Sequence, residues 1–367
     1  MSQRGRKQAA AATGRQPNPM KHVPEDIIVG ILSRQPVKSL CRFKCVSKVW
    51  RNLISGSQFV KLQLNQSINS NRLTYVLYIW LDFPRRLELD YESLVSGHEV
   101  KARADESWFG LTLLFWNRRV LGSCNGLLCV AFAPPTTIAL VNPSTRESKM
   151  IYSCYGPQND QNSLAGGFGY DALHDDYKVV KINHRMGSIC VYSLKNSAWS
   201  CIRVFPHEII GDSVHLNGVI HWITCYDSEA APCITAFQLT KQEFSRRIPT
   251  PRSHDGFLPV QLYAMGGNLC IGGYRLRQFL YEFWVMEIYG VEESWKRIGL
   301  TFSVRSTPSI LDLPRSQEAL ILDKGRLFIY NHRNGSRKEV NIGQIPKAYA
   351  KRCLNSGFSY VDSLVAL

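Results

Sequence analysis

Residues 23–54 read VPEDIIVGILSRQPVKSLCRFKCVSKVWRNLI, and this stretch decides how the N-terminal part folds. Pro24 suits the first helical turn, where its missing N–H costs nothing. Glu25 and Asp26 follow it, where carboxylates meet the positive end of the helix dipole. Ile27, Ile28, Ile31 and Leu32 then recur at helical spacing. Pro36 stops that helix and opens a second one carrying Val37, Leu40, Phe43 and Val46. Ser47 is placed to cap a third piece with Trp50, Leu53 and Ile54. Below ~40 residues a single core is normally too small to stand alone. The surplus apolar side chains must therefore dock on the rest of the chain or on another protein, and the pattern alone does not choose.

The combination resembles an F-box: the Val-Pro-Glu-Asp opening, the run Ile27-Ile28 to Ile31-Leu32, the step Pro36-Val37-Lys38-Ser39-Leu40, then Arg42-Phe43-Lys44-Cys45-Val46-Ser47-Lys48-Val49-Trp50-Arg51. The resemblance covers residues 22–66, an all-α domain of three helices. Val23 and Gly30 depart from the usual pattern, where a leucine and an acidic residue are common. Gly30 costs ~1 kcal/mol of helix propensity against alanine. The resemblance implies docking on the adaptor subunit of a cullin–RING ubiquitin ligase, and through it on the cullin scaffold. Pro24, Ile27, Ile28, Ile31, Leu32, Pro36, Leu40, Phe43, Val46 and Trp50 are then the docking surface or its direct support.

The 367 residues are 45% apolar and 20% charged, an ordinary globular profile with room for one large domain beside the small one. No run approaches the ~18 apolar residues of a membrane helix. Residues 1–21 are basic and free of acids, and their alanine run is too short for a signal-peptide core. They read as a disordered basic tail, with an organelle transit peptide as the other reading. The 11 cysteines are scattered, and neither close pair, Cys41/Cys45 or Cys124/Cys129, has metal-site spacing. Reduced thiols in a cytoplasmic or nuclear protein, with no metal and no cofactor, are the expectation. Of the net charge of +15, residues 1–66 hold 12 Lys/Arg against 2 Asp/Glu, or +10, leaving +5 elsewhere. That charge would steer an acidic protein surface or a nucleic acid toward the N-terminal part.

After residue 70 the period changes to short apolar runs bounded by Gly, Asn, Asp and Pro. Five stretches repeat a glycine turn, an apolar strand, a second strand and a polar turn that often ends near an aromatic. Their glycines, Gly126, Gly169, Gly218, Gly267 and Gly325, lie 43, 49, 49 and 58 residues apart. Periods near 40–50 with several strands per unit point to propeller blades. Leu73–Leu81 and the C-terminal Gly357–Leu367 supply a sixth blade that joins both chain ends and removes exposed sheet edges. The competing fold is a non-repetitive β-sandwich. The fold class is thus α+β and multi-domain, with a mainly-β propeller-like domain of about six blades over residues 75–367.

This half is similar to the F-box-associated domain of plant F-box proteins, the group that includes S-locus F-box proteins. GSCNGLLC, VNPSTRE, GFGYDALHDDYKVV, VYSLKNSAW, HLNGVIHW and YVDSLVAL occur in order. The resemblance implies a kelch-like propeller that holds a target protein.

Other motifs carry less. Gly167–Ala172 fits the letters of a dinucleotide loop but leads into a strand, not a helix. Ser213 and His215 lack the strand–turn–helix setting of a nucleophile elbow. His215 and His221 have no third ligand, and His174-Asp175-Asp176 reads as an Asp-rich turn. The expected role is therefore non-catalytic: substrate receptor of an SCF ubiquitin ligase, with an unidentified protein target. The alternative, a nucleic-acid-binding protein with a basic N-terminal arm, finds only Phe43, Trp50 and Phe59 in that region for base stacking. A propeller enzyme acting alone is a third reading.

Overall fold

In the computed structural model the first helix, α1, runs Glu25–Leu32. Pro24 is its N-cap, one position earlier than the sequence places it, and its carbonyl accepts from Ile27 N at 3.0 Å. Pro36 caps α2 (Val37–Phe43) with an extended backbone, which breaks the run from α1. Ser47 caps α3 (Lys48–Ser55): its hydroxyl accepts from Trp50 N at 3.1 Å, as the sequence predicts. A fourth helix, α4 (Ser57–Asn69), extends beyond the expected three and carries buried Phe59, Gln63 and Leu64. Its start follows Gly56, whose extended backbone ends α3 and turns the chain.

The structure describes residues 24–69, the strand backbones of 72–79, 85–90 and 100–103, and 117–367 apart from 134–136, 153, 155–164, 184–185, 204–207, 226–230, 246, 252–255, 304–307, 313–317, 324–325, 332–333, 341 and 344–353. The tail 1–21, Trp80, Trp108, Trp116 and Gly325 lie outside the described residues.

Among the described residues the strands form six sheets. Five are contiguous antiparallel meanders within 117–152, 166–203, 208–249, 257–303 and 309–340. The sixth joins the two ends of the chain. Arg72–Ile79 pairs antiparallel with Leu354–Val361, Leu73 opposite Val361 and Val76 opposite Phe358. The count of about six therefore corresponds to five contiguous blades and one sheet built from the termini.

The first strand of each meander lies at its inner edge and touches the next. The ring closes through Leu354–Val361, which contacts both Asn117–Cys124 and Ser309–Asp312. The apolar clusters sit between blades. Leu121, Leu127 and Ile138 pack with Phe168 and Val179. Val180, Ile182 and Ile189 pack with Ile220, Trp222 and Phe237. Ile223 and Ile234 pack with Leu262 and Ile271. Phe283 and Phe302 pack with Ile321 and Phe328. The sheets within 166–203, 208–249 and 257–303 thus bury both faces, which is why their strands read as near-continuous apolar runs.

Two of the aromatics that follow the polar turns reach across to a neighbouring blade. Trp199 Nε1 donates to Tyr152 O at 2.9 Å, and Trp295 Nε1 donates to Pro249 O at 3.0 Å, each reaching the preceding blade. Gly126, Gly218 and Gly267 hold positive φ at turns, as expected. Gly169 does not: it is a strand residue against which His215 packs, and an added Cβ would lie 2.2 Å from that ring.

Candidate functional site

The helical unit sorts the ten predicted docking residues into three groups. Leu32 and Leu40 are buried, with Val37, Ile54 and Phe59, in a small core that Leu364 of the C-terminal end completes. Ile28, Phe43 and Trp50 are half-buried against that core, and the Phe43 and Trp50 rings meet edge to face at 5.5 Å. Pro24, Ile27, Ile31, Pro36 and Val46 are exposed. Ile27 is 51% exposed, Ile31 56% and Val46 67%, so filling the small core leaves apolar surface over. Ile27 and Ile31 are four apart on α1 and share one side of it. Val49, 73% exposed, is outside the predicted set. It is the second residue of α3, before the apolar spacing of Trp50, Leu53 and Ile54 begins, so the helical period does not find it. Around these side chains Arg34, Lys38, Arg42, Lys48 and Arg51 are exposed, while the acids of α1 to α3 are Glu25 and Asp26 alone.

The helical unit is seated on the propeller by the sixth sheet's chain end. Gln63 Nε2 donates to Asp362 O at 3.5 Å, and Leu64 joins the cluster between the first two contiguous blades. Lys61 Nζ pairs with Asp175 at 2.7 Å. Ser144 Oγ donates to Asp362 Oδ1 at 2.7 Å, and Asn142 Nδ2 donates to Val365 O at 2.7 Å. Three of the quoted motifs, GSCNGLLC, VNPSTRE and YVDSLVAL, thus meet at one seat.

The inner strands run in one direction. Gly167 lies against Ser213 and Gly169 against His215, and Arg119 pairs with Asp212 at 2.5 Å. The turns after the first strands therefore share one end of the ring. Two of them, 125–126 and 172–175, meet Ser363 and Lys61, so this is the end that carries the helices. The polar, turn-rich segments 153–166, 225–233 and 250–258 join strand ends at the opposite end; 305–316 spans both. Most of these residues lie outside the described ones.

The polar motifs weighed in the sequence are internally satisfied. Burial would raise the Asp171 carboxyl, but Lys178 Nζ at 2.7 Å, His174 and Thr240 outweigh it and hold it well below the usual range. Asp175 meets Lys61 and Tyr170, and Asp176 accepts from Ser193 Oγ and Lys195 N. His221 Nε2 bonds Tyr289 OH at 2.7 Å, and Gly218 N donates to His215 Nε2 at 3.2 Å. Desolvation lowers both imidazoles to about 4, which suits neutral structural groups.

The expectation of reduced cysteines needs one correction. Cys190 and Cys201 form a disulfide, with Cα atoms 4.0 Å apart. The hairpin register puts them directly opposite each other. Their separation of 11 residues is a cue only once the turn at 194–197 is located.

Residues 20–62 match the F-box domain model, and residues 114–367 match that of the F-box associated beta propeller domain. An F-box/kelch-repeat protein of Arabidopsis thaliana is 25% identical over 356 residues, 86% of this chain and 89% of that one. The F-box protein CPR1 of the same plant is 24% identical over 371 residues, 90% and 87% of the two chains. Among solved structures, a chain in a nidogen/laminin complex is similar at TM-score 0.48 and 11% identity, over 79% of this chain and 99% of that one. With a propeller model matched across more than half its length and an F-box ahead of it, this chain belongs to the F-box proteins that carry an F-box-associated β-propeller domain.

Proposed function

We propose that the chain is the substrate receptor of an SCF-type ubiquitin ligase, working in the cytoplasm or nucleus. Its helices dock on the adaptor, and the far end of the propeller holds a target protein. The observation that carries this reading is the apolar surface left over once the helical core is full: Ile27, Ile31, Val46 and Val49, all more than half exposed. Covering them contributes roughly 4–7 kcal/mol before association costs. Pro24, Pro36, Phe43 and Trp50 frame or support that surface, while Leu32 and Leu40 shape it from beneath. The exposed Arg and Lys side chains around it suit an acidic adaptor surface.

The chain itself performs no bond chemistry in this reading. It raises the effective concentration of target lysines beside a ubiquitin-charged enzyme carried elsewhere on the scaffold. Placing adaptor and target at opposite ends of the ring lets both bind at once.

The test is a pull-down of the adaptor with the double variant Ile31→Asp, Val49→Asp. Adaptor capture is lost while the circular dichroism and melting of the chain stay near those of the parent. Undiminished capture by a folded double variant overturns the reading. Retention of nucleic acid that falls steeply with salt, with no adaptor bound, favours a basic nucleic-acid arm instead.

A further inference from the structure

Three cysteines that are distant in sequence meet at one place that the sequence does not announce. The Sγ atoms of Cys154, Cys190 and Cys201 all lie within 4.8 Å of one another. Cys154 follows the outer strand Glu147–Tyr152 of one blade, while Cys190 and Cys201 lie on neighbouring strands of the next. The approach is built in. The outer strands of the two blades are clasped side by side, Lys149 Nζ to Ser197 Oγ at 3.0 Å and Trp199 Nε1 to Tyr152 O at 2.9 Å. Cys154 and Cys201 continue this pairing at the residue offset of Tyr152 and Trp199. The cluster sits at the end of the ring away from the helices, where the strand following Cys154 begins.

We propose that these three sulfurs are a redox-gated site for a thiophilic d10 cation such as Zn²⁺ or Cu⁺, bridging the two blades. Soft thiolates select such ions. Bonds of about 2.3 Å from a metal place ligand sulfurs roughly 4 Å apart, a spacing this cluster reaches once the bond between Cys190 and Cys201 opens. Among the described residues the three sulfurs are the ligand atoms that the cluster brings together. The oxidised state, a disulfide beside one thiol, offers too few thiolates to hold the ion.

The conversion balances with a dithiol reductant. Its two thiols supply two electrons and two protons to the Cys190–Cys201 bond, and the reductant leaves as its own disulfide. Each thiol that then ligates gives its proton to solvent as its sulfur–metal bond forms. The other thiols compete poorly where they are enclosed. Burial pushes Cys124 up to about 12 and Cys129 well above its ordinary value.

The experiment uses the full chain, reduced with a dithiol, freed of it under anaerobic conditions, and titrated with Cd²⁺ as the probe ion. The thiolate-to-cadmium absorption band rises in the reduced chain and stays absent in the oxidised one. Cys154→Ser and Cys201→Ser, each checked by circular dichroism, weaken uptake by roughly 10–100-fold or more. Either of two results overturns the proposal. One is no band in the reduced parent chain. The other is a band of undiminished affinity in both folded serine variants, which assigns the ion to other cysteines.

Discussion

Asn142 Nδ2 donates a 2.7 Å hydrogen bond to Val365 O and a 3.1 Å bond to Ser363 O, and the residue between those two carbonyls, Leu364, is buried in the core of the helical unit. An asparagine of the first contiguous blade therefore holds the strap that completes a core far away in sequence. The helical unit has six buried apolar residues in that core, and one of them comes from the C-terminal strap. Seating and folding of the helices are coupled to closure of the ring.

Leu364→Ala should consequently weaken the helices more than the blades. Truncating a buried leucine costs about 2–5 kcal/mol. Amide hydrogen exchange in α1 to α3 is expected to speed up markedly, with exchange in the blades 208–249 and 257–303 little changed. Equal loss of protection in both parts would show that the strap does not separate them.

The glycine turns allow a paired comparison. Gly126 (φ +84°) and Gly267 (φ +79°) share a backbone conformation that costs an alanine about 1 kcal/mol. Their surroundings differ. A Cβ on Gly126 would lie 2.3 Å from Ser363 Oγ and 2.4 Å from Val361 O, whereas one on Gly267 meets nothing within 4 Å. Gly267→Ala should lose about 1 kcal/mol in urea unfolding, and Gly126→Ala clearly more, because the strap must move. Equal losses would mean that Ser363 does not rest on the turn.

The sequence is legible where one local rule suffices. Pro36 and Ser47 mark helix boundaries by their own backbone chemistry, and blade periodicity follows from glycine turns between apolar runs. What stays hidden depends on distant pairs. Nothing near Leu364 says that it enters a helical core, and nothing near Leu40 says that it is covered while Ile31, on the helix before it, is not. The helical period marks both as apolar and leaves their division to the tertiary fold. Cys154, Cys190 and Cys201 converge only because neighbouring blades align their outer strands. The fourth helix escaped because its apolar residues Phe59, Val60, Leu64 and Ile68 are divided between two cores, the helical one and that between the first contiguous blades.

Acid should destabilise the propeller before its carboxylates protonate. His215 and His221 are enclosed and held near 4, against about 6.5 in an unfolded chain. Below pH 6.5 the unfolded chain takes up protons that the folded one refuses, so stability falls with pH and the loss is complete below about 4. For each imidazole that loss is on the order of 3 kcal/mol. Asp171, held low by its donors, adds its share only in stronger acid. Urea midpoints should decline steadily from pH 7 to pH 4, and His221→Gln should flatten that slope. A slope unchanged by the substitution would place the proton uptake elsewhere.

Gly30→Ala should stabilise the helical unit. Gly30 lies inside α1 with ordinary helical geometry, and a Cβ there meets nothing within 4 Å. The substitution removes backbone freedom from the unfolded chain and adds no clash, a gain of about 0.5–1 kcal/mol. Its neighbours Ile27 and Ile31 keep their exposure, because the added methyl touches neither the core side chains nor the turn before Pro36. Hydrogen exchange across Glu25–Leu32 should slow by roughly two- to fivefold, the factor that such a free energy gives. Adaptor capture should hold or improve, since a docking helix that is already formed pays less ordering entropy on binding. A slower-exchanging helix that nonetheless loses the adaptor would place a contact of the adaptor directly on Gly30, where only the absence of a side chain lets it approach.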